Sequence, residues 1–450
     1  MSIQPIGSQL ALATSGGSAS SGDVDNPYFF KGFVDQPAVV AQALLLIARV
    51  SRTRFYVPPN TLAAVLRAAD PVITATPDGL RFESFSVCCG VYARLDIDAD
   101  ALDISHIAAG VTNVDVNPPL RQALAGLRPN EPLRLKVGDD EFRVATLDEE
   151  LIEESVPLPT RWLKGFAETQ MLFGGMSLKH ELSGIAASQF IQALPRSSAT
   201  KSTMWATDTE RSLRLASRAT AGAVCVAGPE RLRVLEPLSR FATALRAYGP
   251  AADSDSLPMS SAWVLELPGA RMTVGLSPEK SRGFSGEGSV LTSLVAGVEP
   301  EAIGLVSTLL SFESRIDPVR LAGKAGLSGT EIQPILGALA SFGQLGFDFG
   351  TDSYFHRPFP ARKELLSDLH PRFTDAQKLV DDGRVSRESD GSYLVRSVDA
   401  EYSVVLGGDA TADRCTCLWY TKYRGTRGPC KHALAARVFA TGTLEPDITT

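Results

Sequence analysis

The stretch "RCTCLWYTKYRGTRGPCKH", Arg414 to His432, constrains this chain more than any other. It gathers three of the six cysteines and one of the five histidines. Their spacing is C-x-C-x12-C-x-H: Cys415 and Cys417, then Cys430 and His432. Zn²⁺ favours tetrahedral sites of thiolate and imidazole, and three Cys with one His make a closed structural set. Each pair supplies two ligands from one tight turn, and the loop between them closes the tetrahedron. The spacing therefore predicts one Zn²⁺ per chain. A redox pair is an alternative, although C-x-C without a thioredoxin-like βαβ pattern gives it little support. The other alternative is three unrelated cysteines beside a surface histidine. Around the site, "SYLVRSVDAEYSVVLGG" predicts a β-hairpin leading towards Cys415, and "CKHALAARVFA" predicts a helix. Cys430 then sits at a helix N-terminus, where the dipole favours thiolate, and Ala433, Ala436 and Phe439 face the hairpin.

The 450 residues exceed one ordinary core and suggest several domains. Residues 1–25, rich in Ser, Gly and Ala, are expected to be disordered, since they bury too little to offset ordering entropy. The rest reads as an α+β multidomain chain. Val87–Ile97, "VCCGVYARLDI", alternates as a strand with one buried face. "VTNVDVNPPLRQALAGL" reads as a strand then a helix capped by Asn117, with Pro118 first. "SLKHELSGIAASQFIQAL" and "GAVCVAGPERLRVLEPLSRFATALRAYG" repeat strand then helix. "AWVLELPGARMTVGLSP" reads as two strands around a Pro-Gly turn. These patterns suggest an α+β domain over 26–195 and a second over 196–295. Residues 296–360 read as a winged-helix-like domain: helix, Gly-Leu-Ser turn, second helix and β-ribbon. Ser328 and Glu331 form a capping box, Ile332, Ile335, Leu336 and Leu339 an apolar stripe, and Gly343 a stop. Residues 361–450 form the zinc-finger domain.

The hairpin, the paired ligands and the "CKHALA" helix resemble the SWIM zinc finger. That resemblance implies Cys415, Cys417, Cys430 and His432 as the zinc ligands. More of the chain, from about Asn26 to Phe439, is similar to one group of bacterial SWIM-finger proteins. The strings that carry this are "FSVCCGVYARLDI", "GVTNVDVNPPLR", "LPTRWLKGFAETQ" and "SPEKSRGFSGEG". The resemblance implies partner proteins encoded nearby: a MoxR-type AAA+ ATPase and a von Willebrand factor A domain protein.

Between Arg414 and Arg437 there are six basic residues and no acidic one, with Trp419, Tyr420 and Tyr423 interleaved. Arg414, Trp419, Lys422, Arg424, Arg427 and Lys431 are therefore candidates for phosphate contact and base stacking. The competing reading is that cations offset the net negative charge of a three-thiolate zinc site. Residues 361–450 carry 13 basic and 13 acidic residues, so this domain is not basic overall. The second helix of the winged-helix-like segment carries only Glu331, with Thr330, Gln333 and Ser341 expected on its outer face. Major-groove readers usually carry Arg or Lys there.

No other catalytic constellation stands out. Cys88 and Cys89 are adjacent on an expected strand and face opposite sides. His106, His180, His356 and His370 are scattered singly. "GFSGEG" lacks the Gly-Lys-Ser/Thr ending of a P-loop. Trp162 reads as a core anchor. A net charge of −7 argues against nonspecific nucleic-acid coating. The first thirty residues lack Lys and Arg, and no apolar run is long enough to span a bilayer, so a cytoplasmic protein is expected. The reading is a zinc-binding, non-enzymatic adaptor whose finger engages protein or nucleic acid. The alternatives are a DNA-binding regulator using winged helix and finger, or an enzyme with its site in the N-terminal region.

Overall fold

The computed structural model describes residues 17–19, 22–24, 28–55, 71–114, 116–128, 131–138, 141–147, 150–154, 158–197, 203–209, 212–295, 298–359, 369–398, 400–408 and 412–442. Most of the expected disordered segment 1–25 lies outside these residues. Within it, Gly17–Ala19 and Gly22–Val24 pair as a short antiparallel ribbon.

The chain is a mixed α+β protein built around an eight-stranded antiparallel sheet. Its order is Ser177–Ser183, Ala244–Gly249, Ser261–Leu267, Ala270–Leu276, Val91–Asp98, Gly79–Phe85, Val72–Thr76 and Gly110–Asn113. The expected division near residue 195 falls inside this continuous sheet, because Ala270–Leu276 pairs directly with Val91–Asp98. One core accordingly runs from Phe29 to Leu276. A five-stranded sheet flanks it, in the order Glu150–Glu154, Glu141–Ala145, Arg134–Gly138, Tyr28–Val34 and Leu102–Ile107. The apolar helix Pro37–Arg52 packs on the large sheet, started by a proline that needs no helical partner for its missing N–H.

Local chemistry accounts for several element boundaries. The Asn117 side chain accepts from the Leu120 N–H at 3.0 Å and caps Pro118–Gly126. The Pro-Gly turn joins Ser261–Leu267 to Ala270–Leu276. Trp162 is fully buried on the helix Thr160–Gly174, against Phe85 and Phe166. The strand expected from Val87 begins only at Val91. Residues 87–90 instead form the turn after Gly79–Phe85, where the Ser86 hydroxyl accepts from the Gly90 and Val91 N–H groups. Cys89 is left-handed there (φ 51°), so the vicinal cysteines belong to a turn rather than a strand. The segment after Gly228 is a 3-10 helix, Pro229–Phe241, with Pro237 interrupting regular α-helical bonding.

Residues 298–359 contain three helices, Pro300–Leu310, Pro318–Ala325 and Gly329–Ser341. A two-stranded hairpin, Leu345–Asp348 with Ser353–His356, follows. The capping box forms in both directions. The hairpin does not project into solvent. Arg94, 1% exposed on the large sheet, bonds Asp96 at 2.7 Å, Asp348 at 3.0 Å and the Phe347 carbonyl at 2.6 Å. Arg81 also bonds Asp96, at 2.6 Å. Burial opposes ionisation of Asp96, yet Arg94 and Arg81 hold its carboxyl well below the ordinary range. Nearby, Glu83 on the sheet accepts from Arg357 and from Tyr92, each at 2.5 Å. Ser341, expected outside, is buried, and its hydroxyl donates to the Ala338 carbonyl at 2.6 Å. The helix Gly329–Ser341 is therefore exposed only near its start.

This buried ion network makes a specific prediction. Asp348→Ala leaves the buried Arg94 and its neighbour Arg81 sharing one carboxylate, Asp96, and should cost about 3–5 kcal/mol. Urea unfolding monitored by fluorescence measures it; an unchanged midpoint would contradict the assignment.

Candidate metal centre

The C-terminal unit is a helix, Pro371–Asp381, a four-stranded sheet and two further helices. The strands are Val385–Arg387, Tyr393–Arg396, Glu401–Val405 and Arg414–Cys415; the helices are Leu418–Tyr423 and Lys431–Gly442. The expected hairpin and C-terminal helix are both present. Cys415 ends the last strand, and Cys417 caps the short helix that follows. Its sulfur accepts from the Tyr420 N–H at 3.4 Å. Cys430 does the same for the next helix, accepting from the Ala433 N–H at 3.3 Å. Backbone donors aimed at a sulfur favour its thiolate. His432 follows in the first turn. Cysteine is not among the usual caps, so the sequence carries no signal for the helix Leu418–Tyr423.

The four candidate ligand atoms lie within 4.8 Å of one another. All four residues are 4–5% exposed. The Nδ1 of His432 is 3.9 Å from the Cys415 sulfur, and the Tyr402 ring stacks on the imidazole with centroids 4.1 Å apart. The Nε2 of His432 is buried without a hydrogen-bond partner among the described residues. Crowding drives the thiols apart in acidity. Hydrogen bonds from Cys415 and Cys430 lower Cys417, whereas hydrogen bonding to Cys417 and Cys430 raises Cys415. A divalent cation among them removes that conflict. The donor set therefore fits one Zn²⁺, tetrahedral and closed. Among the described residues this is the one such cluster.

Residues 402–436 match the SWIM zinc finger family. The match spans all four ligands. No curated protein matches the chain. Among solved structures, the chain is similar to Proliferating Cellular Nuclear Antigen from Entamoeba histolytica. The identity is 12% over 56% of this chain and 99% of that one, with a TM-score of 0.36. It is also similar to the PCNA2-PCNA3 complex from Sulfolobus tokodaii. There the identity is 11% over 56% of this chain and 99% of that one, with a TM-score of 0.37. No described helix is long and apolar enough to cross a membrane.

The SWIM finger is seated on the body rather than tethered to it. Arg372 donates to the Arg427 carbonyl at 2.9 Å, the Pro429 carbonyl at 3.1 Å and the Glu287 carbonyl at 2.7 Å. It thus ties the residue before Cys430 to the body. Arg427 donates to the Gly286 carbonyl at 2.5 Å. Gly428 is left-handed (φ 70°), and a Cβ there would meet the Gly288 carbonyl at 2.1 Å, so only glycine fits the junction. The candidate nucleic-acid residues divide accordingly. Trp419 lies beneath Arg372 and Arg427, at 4.5 and 5.1 Å from its ring, and its face is not open for stacking. Arg414, Lys422 and Arg424 are exposed, and Lys431 is half-buried. The other single histidines are not gathered into a site. His356 and His370 are buried, which pushes each down to about 4.

Two carboxyls lie under this junction, and no sequence signal marks them. Burial, then the charge of Glu287, raises Glu168 to about 8. Burial likewise raises Glu287 to about 7, against the opposing charge of Arg282, its ion-pair partner at 2.6 Å. A carboxyl raised on folding keeps a proton that the unfolded chain releases. Its contribution to stability is therefore present at low pH and lost as pH rises from about 4.5 to about 8. Zinc-loaded Glu168→Gln should gain stability relative to wild type as pH rises from about 5 to about 8. Urea midpoints at both ends measure this; a difference independent of pH would contradict it.

Proposed function

We propose that the chain is a non-enzymatic adaptor. Zn²⁺ holds its SWIM finger in one shape, and the finger together with the body it is seated on presents a surface to partner proteins. The observation that carries this reading is the seating itself: Arg372, Arg427 and Gly428 join the metal loop to the body. A finger fixed in this way offers a composite surface, as rigid docking proteins do. The resemblance to bacterial SWIM-finger proteins suggests a MoxR-type ATPase and a von Willebrand factor A domain protein as the partners. It also agrees with a cytoplasmic setting.

The DNA-regulator reading is less well supported. As a winged helix, residues 298–359 would need an exposed wing and a cationic helix at Gly329–Ser341. Their hairpin is buried on Arg94 and Glu83, and Gly329–Ser341 carries no Arg or Lys. Exposed Arg414, Lys422 and Arg424 leave phosphate contact by the finger as the surviving form of that alternative.

Purified zinc-loaded protein and its Cys415→Ser variant should be tested against both purified candidate partners and against duplex DNA over a salt series. The adaptor reading predicts co-elution with at least one partner, lost in the variant, and no steep salt-dependent DNA affinity. DNA binding that falls steeply with salt, with neither partner retained, would overturn it.

A further inference from the structure

The finger and the body enclose a groove of about 930 Å³. One wall is the loop between the two ligand pairs, with Lys422, Tyr423, Arg424 and Arg427. The other is the body loop around Arg282, continued by Leu257 and Pro258. Each ligand pair anchors one end of the first wall, so the groove exists only while the metal loop is closed.

The groove is electropositive. Arg282 pairs with the buried Glu287 at 2.6 Å and with Glu279 at 3.6 Å, the one carboxylate in the lining, which leaves the three cations of the finger wall in excess. Lys422, Arg424 and Arg427 make no ion pair with a carboxylate among the described residues. The tyrosine between them responds: hydrogen bonding from Lys422, with help from Arg427, lowers the Tyr423 hydroxyl. Arg424 is held in the left-handed region (φ 44°, ψ 43°), where its N–H closes the short helix on the Tyr420 carbonyl at 2.7 Å. A glycine would take that conformation without steric cost. A long cationic side chain kept at a strained position points to use of that side chain.

The chemistry of the walls also discriminates between anions. Base stacking needs an open aromatic face. Tyr423 is already flanked by Lys422 at 5.0 Å, Arg427 at 4.8 Å and Trp419 at 4.7 Å. Opposite the cations, Leu257 is 57% exposed beside Pro258, an apolar patch at the end of a body wall that is otherwise polar, with Glu279, Ser281, Arg282 and Ser285. Cations on one side and the Leu257–Pro258 patch on the other suit an extended segment carrying both acidic and aliphatic side chains.

We propose that this groove binds an acidic, leucine-containing peptide segment of a partner protein, with Lys422, Arg424 and Arg427 meeting its carboxylates and Leu257 its aliphatic side chains. The proposal deepens the adaptor reading and rests on it. It names the surface through which the zinc-closed finger holds a protein.

Fluorescence anisotropy on the full zinc-loaded chain tests it. The probe is a labelled peptide alternating glutamate and leucine; the controls are a lysine–leucine peptide and an oligothymidylate. The acidic peptide should bind, more weakly as salt rises, and the lysine–leucine peptide should not. Arg424→Gly relieves backbone strain and should keep zinc content and protease resistance. It should still weaken binding about tenfold, the worth of one charge-assisted hydrogen bond. Lys422→Ala, at a solvent-facing helical position, should do the same independently. Absence of peptide binding by folded, zinc-loaded protein would overturn the proposal. So would tighter binding of oligothymidylate through the same two residues, or unchanged affinity in both variants. A folded finger that holds no zinc would instead defeat the metal reading, and zinc content measured on the same samples separates the two failures.

Discussion

Three buried sulfurs and one imidazole brought within 4.8 Å of each other are the constraint on which the C-terminal unit depends. Left to themselves the thiols cannot all ionise, and buried charge is costly unless paired. One Zn²⁺ resolves the conflict and leaves a site with net negative charge. The unit's own apolar cluster is small and borrows Leu291 and Leu294 from the body. A structural zinc contributes about 10–16 kcal/mol of apparent binding energy, as large as the whole stability of an ordinary domain, about 5–15 kcal/mol. The metal therefore decides whether the loop from Cys415 to His432 has a shape at all.

That shape is transmitted to the rest of the molecule by a few polar contacts. Arg372 reads three carbonyls across the junction, and the Gly428–Gly288 approach admits no side chain. Elsewhere on the same body, Arg94 and Arg357 fix the helix–hairpin segment to the large sheet. Both attachments use arginine donating to backbone oxygen, whose directionality fixes orientation where apolar packing alone would not. The two pH-sensitive devices at the finger act in opposite senses. Thiolate ligands lose the metal as pH falls, whereas the carboxyls beneath the junction weaken it as pH rises.

The features legible in the sequence are those whose physics is local. The C-x-C and C-x-H pairs, the Asn117 cap, the Ser328–Glu331 box and the Pro-Gly turn each act within a few residues. Each shows in spacing alone. Long-range pairing is not legible in this way. Nothing in the spacing of residues 270–276 says that they pair with residues 91–97 across the expected domain division. The alternation at Val87 imitates a strand, while the Ser86 hydroxyl bends those residues into a turn. The basic, aromatic character of the finger is plain, but its use is not. Whether Trp419 faces solvent or lies under Arg372 depends on a residue 47 positions away in the chain.

The most direct test of the central claim is elemental analysis of the purified wild type and of Cys430→Ser, paired with limited proteolysis of residues 371–442. The account predicts one zinc per wild-type chain and a protected C-terminal unit. It predicts a metal-free variant cleaved in that unit, with the large sheet still folded. A wild-type chain free of metal and yet protected from Pro371 to Gly442 would contradict it.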